Sequence, residues 1–172
     1  SSAASDVYKR QGYAYGNSEV MPYSEQFYIG GANSIRAFTV RSLGPGSYRP
    51  PRDDRNGYLD QTGDFKLEAN VEYRFGLLGK LGGAVFLDAG NIWLLKNDPK
   101  RPGAELKWKG FLNEIALGTG FGLRYDISVL VIRADLGIGL HTPYPNPDKK
   151  GYYNISSFKD GLGFHLAIGY PF

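Results

Sequence analysis

The residues best placed to do chemistry are an arginine in a long loop and a set of charged side chains on alternating segments. Arg36 lies between two glycine-rich stretches, Gly30-Gly31 and Gly44-Pro45-Gly46. A guanidinium keeps its charge and can bind a carboxylate through two parallel hydrogen bonds. Loops of more than about 40 residues without evident strands are usually functional or disordered. Arg36 is therefore either a solvated surface residue or part of a built site.

Histidine and glycine patterns do not indicate an enzyme. His141 and His165 are the only histidines, and neither has a serine elbow or a carboxylate nearby in sequence. The chain has no cysteine, which excludes disulfides and thiolate metal sites. A glycine series at Gly118, Gly120 and Gly122 lies within a strand pattern and opens no helix, so it is a poor nucleotide loop. We expect no catalytic residues, no metal and no cofactor.

The composition narrows the class of protein. The net charge of +3, from 20 basic and 17 acidic residues, is too mild and too evenly spread to indicate nucleic-acid binding. No apolar run approaches the roughly 20 residues of a transmembrane helix, and the first residues are not a signal peptide. Frequent glycine (24) and tyrosine (13) fit a soluble sandwich or an outer-membrane barrel with aromatic girdles.

Period-two alternation predicts strands of about 10–12 residues, long enough to cross a bilayer at a tilt. The predicted strands are 65–75, 81–93, 116–125, 130–140 and 161–172, with part of another at Gly12–Tyr15. The apolar face should point outward at Val71, Tyr73, Leu87, Leu123, Ile132, Leu136 and Ile168. The opposite face collects Lys66, Glu68, Glu72, Arg74, Asp88, Arg124, Arg133 and Asp135. A filled barrel lumen accommodates such a face more naturally than the solvent side of a soluble sandwich.

The connections alternate between short and long. Segments 76–80 and 125–129 are short, whereas 16–63, 94–115 and 141–160 are long. Outer-membrane barrels have short periplasmic turns and long external loops. The smallest bacterial barrels have eight strands, and open edges are not tolerated in lipid. The fold class is therefore all-β, an antiparallel transmembrane barrel of which this chain is a fragment, present as an open curved sheet.

Two segments resemble motifs of one family. Glu25–Phe38 reads EQFYIGGANSIRAF and contains Ile35-Arg36-Ala37-Phe38, similar to the V/I-R-G-F loop tip of the BamA/TamA superfamily of outer-membrane assembly factors. Val85–Trp93 reads VFLDAGNIW and resembles the family's F-x-D-x-G strand motif, here Phe86, Asp88 and Gly90. Both motifs occur in the family's order. The segments NSIRAF and RSLGPGSY favour the TamA-like branch of the superfamily.

The resemblance implies an architecture and a site. Residues 12–172 would be the C-terminal six strands of a sixteen-stranded barrel (bacterial surface antigen domain), and 16–63 an extracellular loop whose tip folds inward. Arg36 would pair in the lumen with Glu72 and Asp88, although Glu68 shares Glu72's face and stays an alternative acceptor. Ala37 replaces the family's usual glycine, and alanine disfavours positive φ. Apart from the resemblance, glycines lie on the polar strand face at 118, 120, 122, 137 and 139. They either make room for the loop or permit the wall to bend, and we favour room for the loop.

The resemblance also implies a function: insertion or translocation of proteins at the cell outer membrane of a Gram-negative bacterium. The barrel seam would open and template incoming strands by edge pairing. Partners would be outer-membrane lipid, unfolded outer-membrane proteins, and periplasmic assembly proteins reached through upstream POTRA repeats. The alternating C-terminus resembles a barrel targeting signal, or is simply lipid-facing, at Phe164, Leu166, Ile168, Tyr170 and Phe172.

Three other functions remain open at the level of sequence. A two-partner-secretion transporter shares both motifs, a passive porin would leave Arg36 without a fixed acid, and a soluble binding sandwich would bury the apolar face. The first eleven residues, SSAASDVYKRQ, read like translated adapter sequence. We therefore expect residues 1–11 to be a non-native terminal segment.

Overall fold

The computed structural model describes residues 2–11 (as backbone), 26–51, 61–127, 129–148, 151–155 and 161–169. They form one antiparallel sheet of six strands in sequence order. The strands are β1 Ser2–Gln11, β2 Phe65–Leu78, β3 Leu81–Trp93, β4 Ala116–Asp126, β5 Val131–His141 and β6 Leu162–Gly169. A short 3-10 helix, Phe111–Glu114, precedes β4. The all-β open sheet expected from the sequence is confirmed.

The alternating pattern separates two faces of the sheet. The outer face carries exposed apolar side chains, among them Val71, Tyr73, Leu87, Leu123 and Ile168; Ile132 and Leu136, predicted to lie there, are half-buried. The inner face carries the buried acids Glu72, Asp88 and Asp135. Directly opposed residues share a face, so the register of Val71 opposite Leu87 keeps the two sets apart across strands.

The strand ends differ slightly from the prediction. β2 continues to Leu78, and the chain reverses at Gly79 and Lys80 rather than from Gly76 onwards. Gly79 has a φ of 55°, the left-handed conformation that glycine adopts without steric cost. Among the described residues, no helix is long and apolar enough to cross a membrane.

The first strand comes from the segment predicted to be non-native. Residues Ser2 to Gln11 pair along their whole length with β2, from Ser2 opposite Arg74 to Gln11 opposite Phe65. The backbone thus forms an edge strand where we expected an unrelated terminus. The pairing does not bear on where the segment comes from, and its non-native origin stays a prediction. The partial strand predicted at Gly12–Tyr15 lies outside the described residues.

The apolar core is built by the loop between β1 and β2. Its buried members from that loop are Ile29, Ile35, Ala37, Phe38 and Leu43, which pack with Ile92 of β3 and Ala116 of β4. Half-buried Tyr144 and Ile155, from the loop after β5, pack against the same cluster. The loop therefore folds onto the inner face of the sheet instead of extending into solvent, which brings Arg36 to the wall.

Candidate functional site

The loop tip, residues 29–43, is a compact turn held by its own backbone. Gly31 N–H donates to the Phe38 carbonyl over 2.8 Å, and Arg41 N–H donates to the Ile29 carbonyl over 3.0 Å. Gly30 has a φ of 101°, and a side chain there would collide with the Thr39 carbonyl. Glycine is therefore required at this turn, which explains one member of the Gly30-Gly31 pair.

Arg36 binds Asp88 of β3 through both its side chain and its backbone. Its Nε lies 2.9 Å from Asp88 Oδ2, and its Nη2 lies 2.8 Å from Oδ1. Its backbone N–H also donates to Oδ2 over 3.0 Å. Arg36 is 5% exposed and Asp88 is fully buried. This planar two-bond arrangement is the strong form of an arginine–carboxylate contact.

Glu72 of β2 supplies the second acid. Arg36 Nη1 donates to Glu72 Oε2, and the guanidinium also lies over the Phe86 ring, 3.5 Å from its centroid. Burial alone would lower the pKa of the Arg36 guanidinium, but hydrogen bonds and charge contacts with Asp88 and Glu72 outweigh burial and raise it. The alternative acceptor, Glu68, instead lies 2.6 Å from Lys66 Nζ.

Glu72 and Asp88 differ in the number of arginines that they contact. Glu72 also accepts a hydrogen bond from Arg74 Nε over 2.7 Å and lies 3.2 Å from Arg124 Nη2. Among the described residues, Arg36 is the cation paired with Asp88. Asn70, directly opposite Asp88 in the register, donates its Nδ2 to Asp88 Oδ1 over 2.9 Å and to the Ser34 carbonyl over 3.0 Å.

Two further wall residues hold the backbone of the loop tip. Arg133 Nη2 donates to the Ala32 carbonyl and to Asn33 Oδ1, each over 2.8 Å. His165 Nε2 lies 2.8 Å from the Arg36 carbonyl. Sequence reasoning missed these contacts together with Asn70. The placement of all three on the polar face of predicted strands was the available signal, but it does not identify a loop partner.

Inner-face glycines give the loop tip its space. A Cβ on Gly118 would lie 2.5 Å from the Ala37 Cβ, and one on Gly137 would lie 2.5 Å from the Arg36 carbonyl oxygen. A Cβ on Gly139 would press on the Phe38 ring. A Cβ on Gly120 would instead meet the Leu136 carbonyl oxygen and the Phe86 ring, and one on Gly122 would meet the Asp135 and Arg124 side chains.

The structure also gives the positions of the remaining motif residues. Ile35 and Phe38 are buried in the core cluster, and Ala37 does not have a positive φ, so the backbone accommodates alanine at this position. Gly90 lies against the Leu67 carbonyl and the Ile29 side chain, where a Cβ would not fit. On β6, the predicted C-terminal residues Phe164, Leu166 and Ile168 are 66–70% exposed on the outer face. Tyr170 and Phe172 lie outside the described residues.

Comparison with known proteins identifies the family. The model of the Omp85 superfamily domain matches residues 8–172. The chain belongs to the Omp85 superfamily. This result confirms the resemblance to BamA/TamA-type proteins and places the chain in an outer-membrane β-barrel of Gram-negative bacteria. The lean towards the TamA-like branch and the strand number of sixteen stay predictions.

The chain matches part of two longer relatives. It is 30% identical over 84 residues to the outer membrane protein assembly factor BamA of Neisseria meningitidis serogroup B, which is 46% of this chain and 10% of that protein. Its fold matches CdiB from Acinetobacter baumannii with a TM-score of 0.53 at 19% identity, over 98% of this chain and 23% of that one. The chain thus spans less than a quarter of either relative.

Proposed function

We propose that this Omp85 chain is the C-terminal barrel part of a factor that inserts proteins into, or translocates them across, the outer membrane. The observation that carries the proposal is the loop lock, defined here as Arg36 with Asp88 and Glu72. A passive porin has no need to bury an arginine of an external loop against two wall acids. While the lock is formed, the loop tip fills the lumen. A conformational change that breaks the lock would open the lumen.

In the proposed mechanism, the lock keeps the loop tip bound to the inner face of the sheet while the barrel seam opens. The seam between the first and last barrel strands would open sideways and present unpaired backbone groups to an incoming strand. Edge pairing supplies affinity through main-chain hydrogen bonds and does not require one particular sequence. The exposed apolar face of β6, with Phe164, Leu166 and Ile168, fits a strand at the lipid boundary.

The test replaces Arg36 in the full-length protein. Arg36→Ala should abolish most activity, and Arg36→Lys should also impair it, because lysine keeps the charge but loses the two-bond fork. Lys109→Ala, on the exposed loop before the 3-10 helix, is the control and should remain active. Normal activity of Arg36→Ala at normal barrel abundance would refute the role of the lock.

A second experiment distinguishes an assembly factor from a two-partner-secretion transporter. One arm measures insertion of several unrelated outer-membrane proteins into vesicles that contain the full-length protein. The other measures secretion of a candidate exported partner encoded beside it. Insertion of unrelated barrels supports an assembly factor, whereas secretion of a single partner without barrel insertion supports a two-partner-secretion transporter.

A further inference from the structure

Arg36 contacts the wall at two separate places. Its side chain binds Glu72 of β2 and Asp88 of β3. Its carbonyl group lies on the other side of β4, against β5 and β6. Because the sheet order is sequential, one loop residue links strands on both sides of β4. The contacts with Glu72 and Asp88 make up the loop lock, and the contacts of the Arg36 carbonyl group form a second site.

A glycine pair forms a notch for the peptide group that follows Arg36. Gly137 of β5 and Gly163 of β6 are directly opposed in the register. A Cβ on Gly137 would lie 2.6 Å from the Ala37 nitrogen, and one on Gly163 would lie 2.6 Å from the Arg36 oxygen and 3.1 Å from the Ala37 carbonyl carbon. These atoms belong to the backbone, which cannot swing aside as the end of a side chain can. The notch therefore fits a peptide group only while both residues lack side chains.

His165 completes the notch with a hydrogen bond. It follows Gly163 by two residues, so both lie on the inner face of β6. A carbonyl oxygen only accepts hydrogen bonds, so the 2.8 Å contact requires that His165 Nε2 donates to Arg36. Asp135, directly opposite His165 on β5, is already paired with Arg124 and lies 3.0 Å from Arg133 Nε.

We propose that Gly137, Gly163 and His165 form a receptor for the Arg36–Ala37 peptide group, with His165 as a positioning residue that ties β6 to the locked loop. Within the described sheet, β6 is an end strand whose strand partner is β5. The tether adds a connection from β6 to β2 and β3 through the loop. Its consequence for transport rests on the proposed function: seam movement at β6 would be coupled to withdrawal of the loop tip.

The test measures the position of β6 in the full-length protein in lipid nanodiscs. Spin labels at Val71 of β2 and Leu166 of β6, both on the outer face, report the distance between these strands by pulsed electron resonance. We expect one narrow distance peak in the parent protein. His165→Leu removes the donor and should replace the peak with a broad distribution, whereas His165→Gln, whose amide nitrogen reaches the same place, should restore it.

A second variant tests the notch independently of the histidine. Gly163→Ala should broaden the distribution as His165→Leu does. Gly76→Ala is the matched control, because a Cβ on that strand glycine meets nothing within 4 Å. Arg36→Ala combined with His165→Leu should broaden the peak no more than His165→Leu alone. Heat-dependent gel mobility shows which variants have folded barrels, and Gly163→Ala decides the question if His165→Leu does not fold.

Two results would overturn the receptor: a narrow peak in folded His165→Leu or Gly163→Ala, or a Gln variant as broad as the Leu variant. Vesicle insertion assays on the same samples keep the two proposals apart. If the distances respond as expected but Arg36→Ala transports normally, the receptor stands and the proposed function fails. If Arg36→Ala stops transport while His165→Leu leaves the distances unchanged, the proposed function stands and the receptor fails.

Discussion

Replacing Asp88 with asparagine should release the loop tip without changing the shape of the wall. Asp88 accepts four hydrogen bonds, from the Arg36 backbone N–H, Nε and Nη2 and from Asn70 Nδ2, at 2.8–3.0 Å. Asparagine retains one acceptor oxygen and turns an amide NH₂ towards the other donors. Two of the four bonds lose their acceptor, and Arg36 loses one of its two counter-charges.

The size of the effect follows from which partners remain. Removing one partner of a buried ion pair costs about 3–5 kcal/mol. Glu72 still neutralises Arg36, and lumenal water can enter, so we expect the lower end, about 3 kcal/mol. Since about 1.4 kcal/mol is a factor of ten, the ratio of locked to released loop should fall by roughly 100-fold. Glu72→Gln should have a smaller effect, about 1.5–3 kcal/mol for one hydrogen bond to a charged group.

Hydrogen exchange of the loop tip measures this ratio. In the full-length protein in nanodiscs, amides within residues 29–43, including the Arg36 N–H that donates to Asp88, should exchange roughly 100-fold faster in Asp88→Asn. Asp98→Asn is the control, because Asp98 pairs with Arg101 three residues away in a different loop. This half-buried pair within one loop contributes on the order of 1 kcal/mol, and its loss should not affect residues 29–43.

Exchange of residues 29–43 at the parental rate in a folded Asp88→Asn barrel would contradict this prediction. That result would mean that packing of Ile35 and Phe38 holds the tip and that the ion pairs are dispensable. Equal effects of Asp88→Asn and Glu72→Gln would contradict the assignment of Asp88 as the principal acceptor.

Two more predictions concern the sheet. Leu87→Arg, at a central position of the outer face, should cost roughly 2–4 kcal/mol in urea titrations of refolding into lipid, whereas Leu78→Arg at the strand end should cost about 0–1 kcal/mol; similar costs would contradict the lipid-facing assignment. Residues 12–172 expressed without detergent should associate in sedimentation experiments, because the open edges and apolar face are uncovered, and a cooperatively melting monomer would contradict this.

The sequence predicted those features that have a local signal. Period-two alternation identified β2 to β6 and their faces, because each residue's side follows from its neighbours. The segment that forms β1 was missed, since its polar residues give no comparable alternation. The pairing of Arg36 with Glu72 and Asp88 came from the resemblance to a family, and no spacing rule would have supplied it.

The missed contacts depend on how the loop docks. His165 and Gly163 meet the Arg36 carbonyl, more than 120 residues away in the chain, and no local pattern encodes that meeting. Asn70 was recognisable as an inner-face residue, but its position opposite Asp88 required the register of β2 and β3. The glycines 118 and 137 were identified as space for the loop because their lack of a side chain is itself the signal.

The wall charges indicate where the cost of releasing the loop is concentrated. If the tip withdraws, Glu72 keeps Arg74 and Arg124, and Asp135 keeps Arg124 and Arg133. Asp88 keeps only the neutral Asn70 amide among its described side-chain partners. A buried carboxylate without a cation is costly, so withdrawal of the tip is opposed mainly at Asp88.

A cation placed beside Asp88 should therefore weaken the lock from the wall side. Asn70→Lys puts an ammonium group directly opposite Asp88, where it can neutralise the carboxylate in the absence of Arg36 and compete with Arg36 in its presence. Exchange in residues 29–43 should accelerate while the strands stay protected. Asn70→Gln keeps an amide and should give much slower exchange than the lysine variant. If both variants accelerate exchange equally, the Asn70 bond to the Ser34 carbonyl, rather than the charge of Asp88, controls release of the loop tip.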